Sequence, residues 1–233
     1  MFNIVLSQTT KLHLVFTNDI HGSIHQIPAR FMNPEFGPMM SGGAGAYRYV
    51  TKLRQEANQL GDEVLLLDGG NFFQGTPLGT LDGGETIIRW MNQMGYDALT
   101  PGLKDFDQGV ANLKRLSKIA NFPFLSGNII EKETGQNLKW LTPIIYKQIG
   151  KIKIAIIGLT LDKIPELGFP ENTKGLIFLP EVVSAQEQVK EAKDKGADII
   201  IMLAHLGIPY NRDEEFETFM FRLSKDEKLE KAK

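Results

Sequence analysis

Asp19 and His21, two residue types that bind divalent cations, stand two apart in the run Phe16-Thr17-Asn18-Asp19-Ile20-His21-Gly22. In extended backbone, side chains two apart project to the same side, so one carboxylate and one imidazole can reach one ion. The plainer reading of so short a motif is a turn aspartate capping nearby amides beside a surface histidine. Other polar groups share the placement, each just beyond an apolar run that reads as a strand. Asp68 and Asn71 follow Val64–Leu67, Lys104 to Asp107 follow Tyr96–Leu99, Asn128 follows Phe122–Leu125, and His205 follows Ile199–Leu203. Ligands of open α/β sheets bind beyond the carboxyl ends of the strands. Asp19, His21, Asn71, Asp107 and His205 are therefore expected to meet in one cleft. The Gly-rich stretch Asp68–Gly84 contains no G-K-[ST] and is not a phosphate-cradling P-loop. Gly42-Gly43-Ala44-Gly45 lacks the third glycine of a dinucleotide fingerprint and follows a loop.

Composition narrows the chemistry. The chain has 233 residues, no cysteine and four histidines, so a metal can be held only by Asp, Asn, Glu or His. Its 26 basic and 28 acidic side chains leave a net charge of −2, which argues against an electrostatic nucleic-acid binder. No apolar run approaches the ~20 residues of a membrane span. The N-terminus lacks the basic region of a secretory leader. The expected compartment is the cytoplasm as written, or the periplasm or extracellular space if a signal peptide was removed.

Apolar runs alternate with helical patterns, the signature of an α/β protein. Strands are expected at Leu12–Phe16, Val64–Leu67, Tyr96–Leu99, Phe122–Ile130 and Ile199–Leu203, with a hairpin of 143–146 and 153–157 about Gly150. Helices are expected over 44–60, with Tyr47, Val50, Leu53, Ala57 and Leu60 on one face, over 87–94 and 110–119, and over 181–195 with Val182, Ala185, Val189 and Ala192 inward. The charged tail 213–232 reads as a helix with Phe216, Phe219, Met220 and Leu223 on one side, a surface for a protein partner.

Four blocks in order, FTNDIHG, LLLDGGNFFQGTP, GYDALTPG with Phe106-Asp107-Gln108-Gly109, and LAHLG, resemble the N-terminal catalytic domain of the 5′-nucleotidase family of calcineurin-like metallophosphoesterases. The resemblance runs from about Lys11 to Gly207. It implies a four-layer α/β/β/α sandwich with mixed sheets. It also implies two divalent metals at the strand ends and hydrolysis of phosphate esters, typically nucleotides, by a metal-bridging water. Position by position, Asp19 and His21 match the first metal-ligand pair, His205 matches a ligand of the second metal, and Asp107 matches the acid that orients the catalytic histidine. Three positions depart. Asn71 replaces the bridging aspartate, Leu103 replaces a ligand asparagine, and Lys104 replaces the catalytic histidine. The closing G-H-x-H or G-H-x-Q block has no counterpart, since no histidine follows His205. The rest of the family domain and the nucleoside-binding domain are likewise expected to be absent, which leaves residues 1–233 as one domain.

The departures weigh on electrostatics. At about 5 Å and an effective dielectric near 20, a monovalent cation repels a divalent one by roughly 6–7 kcal/mol. The Lys104 ammonium is therefore expected to stand in for a metal, pointing into the cleft toward Asp19 or Asp107. Cofactor content is expected to be nil, or one weakly held ion of the Mn, Zn or Mg class on Asp19, His21, Asn71 and His205, where the family uses two. Two functions stay open: a non-catalytic binding or structural module, and a metal-dependent phosphoric ester hydrolase.

Overall fold

A computed structural model describes residues 10–207 together with Glu217 and Met220. The predicted tail helix 213–232 otherwise lies outside the described residues. The chain runs β1 (Leu12–Thr17), β2 (Ile27–Pro28), β3 (Met39–Met40), α1 (Gly42–Leu60), β4 (Glu63–Asp68), α2 (Pro77–Thr80), α3 (Glu85–Met94) and β5 (Ala98–Leu99). A 3-10 turn at Leu103–Phe106 leads into α4 (Gly109–Ile119), β6 (Ile129–Glu131), β7 (Ile144–Ile149), β8 (Ile152–Thr160) and α5 (Ile164–Leu167). After a second 3-10 turn, Pro170–Thr173, come β9 (Leu176–Phe178), α6 (Glu181–Asp194) and β10 (Ile199–His205).

Two three-stranded sheets carry the architecture, in the orders β1-β4-β5 and β10-β8-β7. The first is wholly parallel, and the second mixes the parallel pair β10/β8 with the antiparallel hairpin β7/β8. The period of two along β4 shows how the layers stack. Leu66 faces a core built with Val50 of α1, Ile87, Ile88 and Met91 of α3, and Leu113 and Leu116 of α4. Its neighbours Leu65 and Leu67 face the second sheet, against Ile154, Ile156 and Leu203. With α6 packed on β8, the order is helix, sheet, sheet, helix, the predicted four-layer sandwich of the metallophosphoesterase type. β4 and β10 meet in one core cluster, as expected. Among the described residues, no helix is long and apolar enough to cross a membrane.

Several local expectations are corrected. The run 122–130 is not one strand: Pro123 interrupts it, Phe124 and Leu125 make isolated bridges to Leu99 and Thr142, and β6 begins only at Ile129. The 68–84 loop contains the short α2, started by Thr76 accepting from the Gly79 N–H and by Pro77 in the first turn. On α1, Val50 and Ala57 are buried but Tyr47 and Leu60 are exposed. On α6 the buried residues are Ser184, Gln188 and Ala192, while Val182 is exposed. Among the described residues β10 is an edge strand, with Ile199 and Met202 exposed.

Candidate functional site

The turns after β1 and β4 are zipped together by backbone hydrogen bonds. Gly69 N–H donates to the Thr17 carbonyl (2.7 Å), and Asp19, His21 and Gly22 N–H groups donate to the carbonyls of Gly70, Asn71 and Phe72 (2.9 Å each). Three non-glycine residues here adopt left-handed backbone, Asp19 (φ 52°), His21 (φ 50°) and Asn71 (φ 55°), and no others do among the described residues. Such conformations cost on the order of 1–3 kcal/mol each and persist where surroundings enforce them. Asp19 and His21 thus meet through a tight turn, not through the extended backbone expected, with His21 Nε2 3.5 Å from Asp19 Oδ1.

Asp105 enforces the Asn71 turn. Its fully buried carboxylate accepts from the N–H groups of Asn71 (2.7 Å), Phe72 (2.9 Å) and Gly102 (2.8 Å). Burial pushes its pKa up to about 8, against the backbone donors, and the nearby Asp68 adds to the rise. Asp68 lies beneath the site, also fully buried, accepting from Thr17 Oγ1 (2.6 Å) and Gly70 N–H (2.9 Å). Burial pushes Asp68 to about 7. Sequence reasoning did not single out Asp105, because nothing in the run Lys104-Asp105-Phe106-Asp107 tells which acid turns inward. Its one sequence signal was membership of a strand-end polar cluster. Asn128, in the same class by sequence, is structural: its amide donates to the Thr160 and Leu179 carbonyls and accepts from Thr160 N–H.

Asn71 sits at the centre. Its Nδ2 donates to Asp19 Oδ1 (2.8 Å) and its Oδ1 accepts from the Lys104 backbone N–H (2.7 Å). Asn18 Nδ2 donates to the other Asp19 oxygen (2.8 Å). Burial works against the Asp19 carboxylate, but the Asn71 and Asn18 hydrogen bonds, with His205 and His21 nearby, outweigh it and hold its pKa below the usual range. Glycine is required at 102: a Cβ there would lie 2.6 Å from Asn71 Oδ1 and 2.7 Å from His205 Cε1. That close approach brings Asn71, His205 and the 3-10 turn together. Asp107, at the end of that turn, forms no hydrogen bond with Asp19, His21, Asn71 or His205; its Oδ2 lies 3.6 Å from Lys104 Nζ. The lysine therefore faces Asp107 and not Asp19, and its side chain is 47% exposed. Asp19 receives its positive partners from two amides instead.

Both histidines are oriented by backbone. His21 Nδ1 lies 2.7 Å from the Gln74 carbonyl and His205 Nδ1 2.5 Å from the Gly69 carbonyl. A carbonyl only accepts, so each Nδ1 carries hydrogen and a neutral ring presents its Nε2 lone pair, the arrangement of metal-ligating imidazoles. Asp19 and His21 fit one divalent ion. The Asn71 amide is neutral and hydrogen-bonded on both sides, and the Leu103 side chain packs against the core. Among the described residues, no three His, Asp or Glu side chains are grouped closely enough to hold an ion. Asp19 and His205 also line one end of an apolar groove of about 740 Å³ between the edge strands β1 and β10, which exposes Leu14, Phe16 and Met202.

No family model matches the chain. It is 36% identical over 201 residues to the 5′-nucleotidase of Vibrio cholerae, an alignment covering 86% of this chain and 34% of the relative. The solved 5′-nucleotidase precursor of Thermus thermophilus superposes with a TM-score of 0.73 at 26% identity, over 88% of this chain and 38% of that one. The calcineurin-like phosphoesterase YfkN of Bacillus subtilis superposes with a TM-score of 0.68 at 29% identity, over 84% and 62%. The chain belongs to the 5′-nucleotidase family of calcineurin-like metallophosphoesterases. It spans about a third of the length of the curated relatives it matches.

Proposed function

We propose that this domain is a 5′-nucleotidase-like metallophosphoesterase module that does not hydrolyse phosphate esters and keeps its cleft for binding or structure. The observation that carries this reading is the two-sided use of Asn71, which donates to Asp19 and accepts from Lys104 N–H. An aspartate at 71 would set two carboxylate oxygens at hydrogen-bond distance, a geometry that needs a cation or a shared proton between them. The asparagine amide supplies that positive end from within the chain. In the same reading, Lys104 gives Asp107 a permanent counter-charge where the family places a histidine. One weakly bound ion on Asp19 and His21 remains compatible with it.

The test is turnover of a chromogenic phosphate ester with added Mn²⁺ or Co²⁺, beside the combined variant Asn71→Asp, Leu103→Asn, Lys104→His. The reading expects no turnover above the metal-only blank for the unaltered protein and raised metal uptake in the combined variant. Metal-dependent turnover by the unaltered chain, abolished by Asp19→Ala, would establish a phosphoric ester hydrolase instead.

A further inference from the structure

A second concavity, of about 800 Å³, shares no lining residue with the Asp19 groove. Its volume lies within the range of small-molecule sites, roughly 300–1,000 Å³. One wall is the C-terminal half of α4, where Lys114 and Lys118 stand four apart and so share a face. The other wall is the loop carrying Lys139 and Trp140. All three lysines are exposed, and none is in an ion pair among the described residues. The one acid in the lining, Glu131, accepts from the Thr134 hydroxyl (2.9 Å). Trp140 is half-buried: it packs against the main core and also lines the cleft.

We propose that this cleft binds a small anionic aromatic molecule, its ring on Trp140 and its anion among Lys114, Lys118 and Lys139, with AMP as the probe of that chemistry. Three cations facing one engaged carboxylate make the cleft locally positive on a chain of net charge −2. An anion alone would need only the lysines, and an apolar ligand only the aromatic ring. The combination selects a molecule with both parts, since a flat ring gains from stacking on an aromatic side chain. The proposal is independent of the fate of the Asp19 site.

The chain has two tryptophans, so Trp90→Phe leaves Trp140 as the sole reporter. Its emission is titrated with AMP in the presence of EDTA, which removes any metal-dependent hydrolysis. The expected result is a saturable change that weakens at least about tenfold in Lys114→Glu/Lys118→Glu, and that Asp19→Ala leaves unaltered. Adenosine and inorganic phosphate, tested singly, should bind at least about tenfold more weakly than AMP. Both lysines are exposed, so an unchanged far-UV circular dichroism spectrum verifies that the charge-reversed protein is folded. No saturable change up to ~5 mM AMP overturns the proposal, as does binding that ignores the charge reversal. Tighter binding of single-stranded oligonucleotide than of AMP also overturns it, in favour of a nucleic-acid surface.

Discussion

The two halves of the Asp19 cleft differ in what completes them. On one side, Asp19 and His21 sit in strained turns, and the imidazoles of His21 and His205 are locked by backbone carbonyls. On the other, Asn71, Leu103 and Lys104 complete themselves: an amide bonded on both faces, an apolar side chain in the core and an ammonium beside Asp107. Both halves rest on the same scaffold of backbone hydrogen bonds and the buried Asp68 and Asp105 side chains.

The sharpest break is Asp105→Ala. It strands three backbone N–H donors, each costing about 1–3 kcal/mol. The expected loss is about 4 kcal/mol or more, read as a fall in the urea midpoint, and a loss below 1 kcal/mol would remove Asp105 from the scaffold. Next is the pH response of Asp68. Its folded pKa near 7 lies above the unfolded value of 3.8, so its contribution is fully present below about pH 4 and is lost as pH rises through 7. Asp68→Asn mimics the protonated form. It should match the parent in thermal stability near pH 4 and exceed it at pH 8, by about 4 kcal/mol at most. Identical pH slopes for the two proteins would contradict the assignment.

Asn71→Asp probes the boundary between the halves. Without metal it should cost about 1–3 kcal/mol, and Mn²⁺ should restore more thermal stability to it than to the parent. Equal Mn²⁺ responses would mean that Asn71 is not the substitute for an ion. The smallest effect belongs to Lys104→Ala. The pair with Asp107 is half-exposed, so its loss should change stability by less than about 1 kcal/mol, with high salt removing most of the difference.

Much of this was legible in the residue order. The family resemblance implied the layers, and the polar strand ends pointed to one cleft for Asp19, His21, Asn71, Asp107 and His205, of which Asp107 is engaged with Lys104 instead of with the other four. Left-handed backbone at three non-glycine positions was not legible, because it is imposed by partners distant in the chain such as Asp105. Nor was the inward face of α6. There hydrophobicity pointed to Val182, but the buried positions are Ser184, Gln188 and Ala192, with the Gln188 amide lying directly over Gly127. Lys104 was placed by charge alone toward either acid, and its short reach along the 3-10 turn decided for Asp107.

The most direct test of the central claim is the stoichiometry of Mn²⁺ bound to the full chain, by calorimetric titration with metal content by mass spectrometry. The account predicts at most one equivalent, weakly held and lost in Asp19→Ala. Two tightly bound equivalents on the unaltered protein would contradict it.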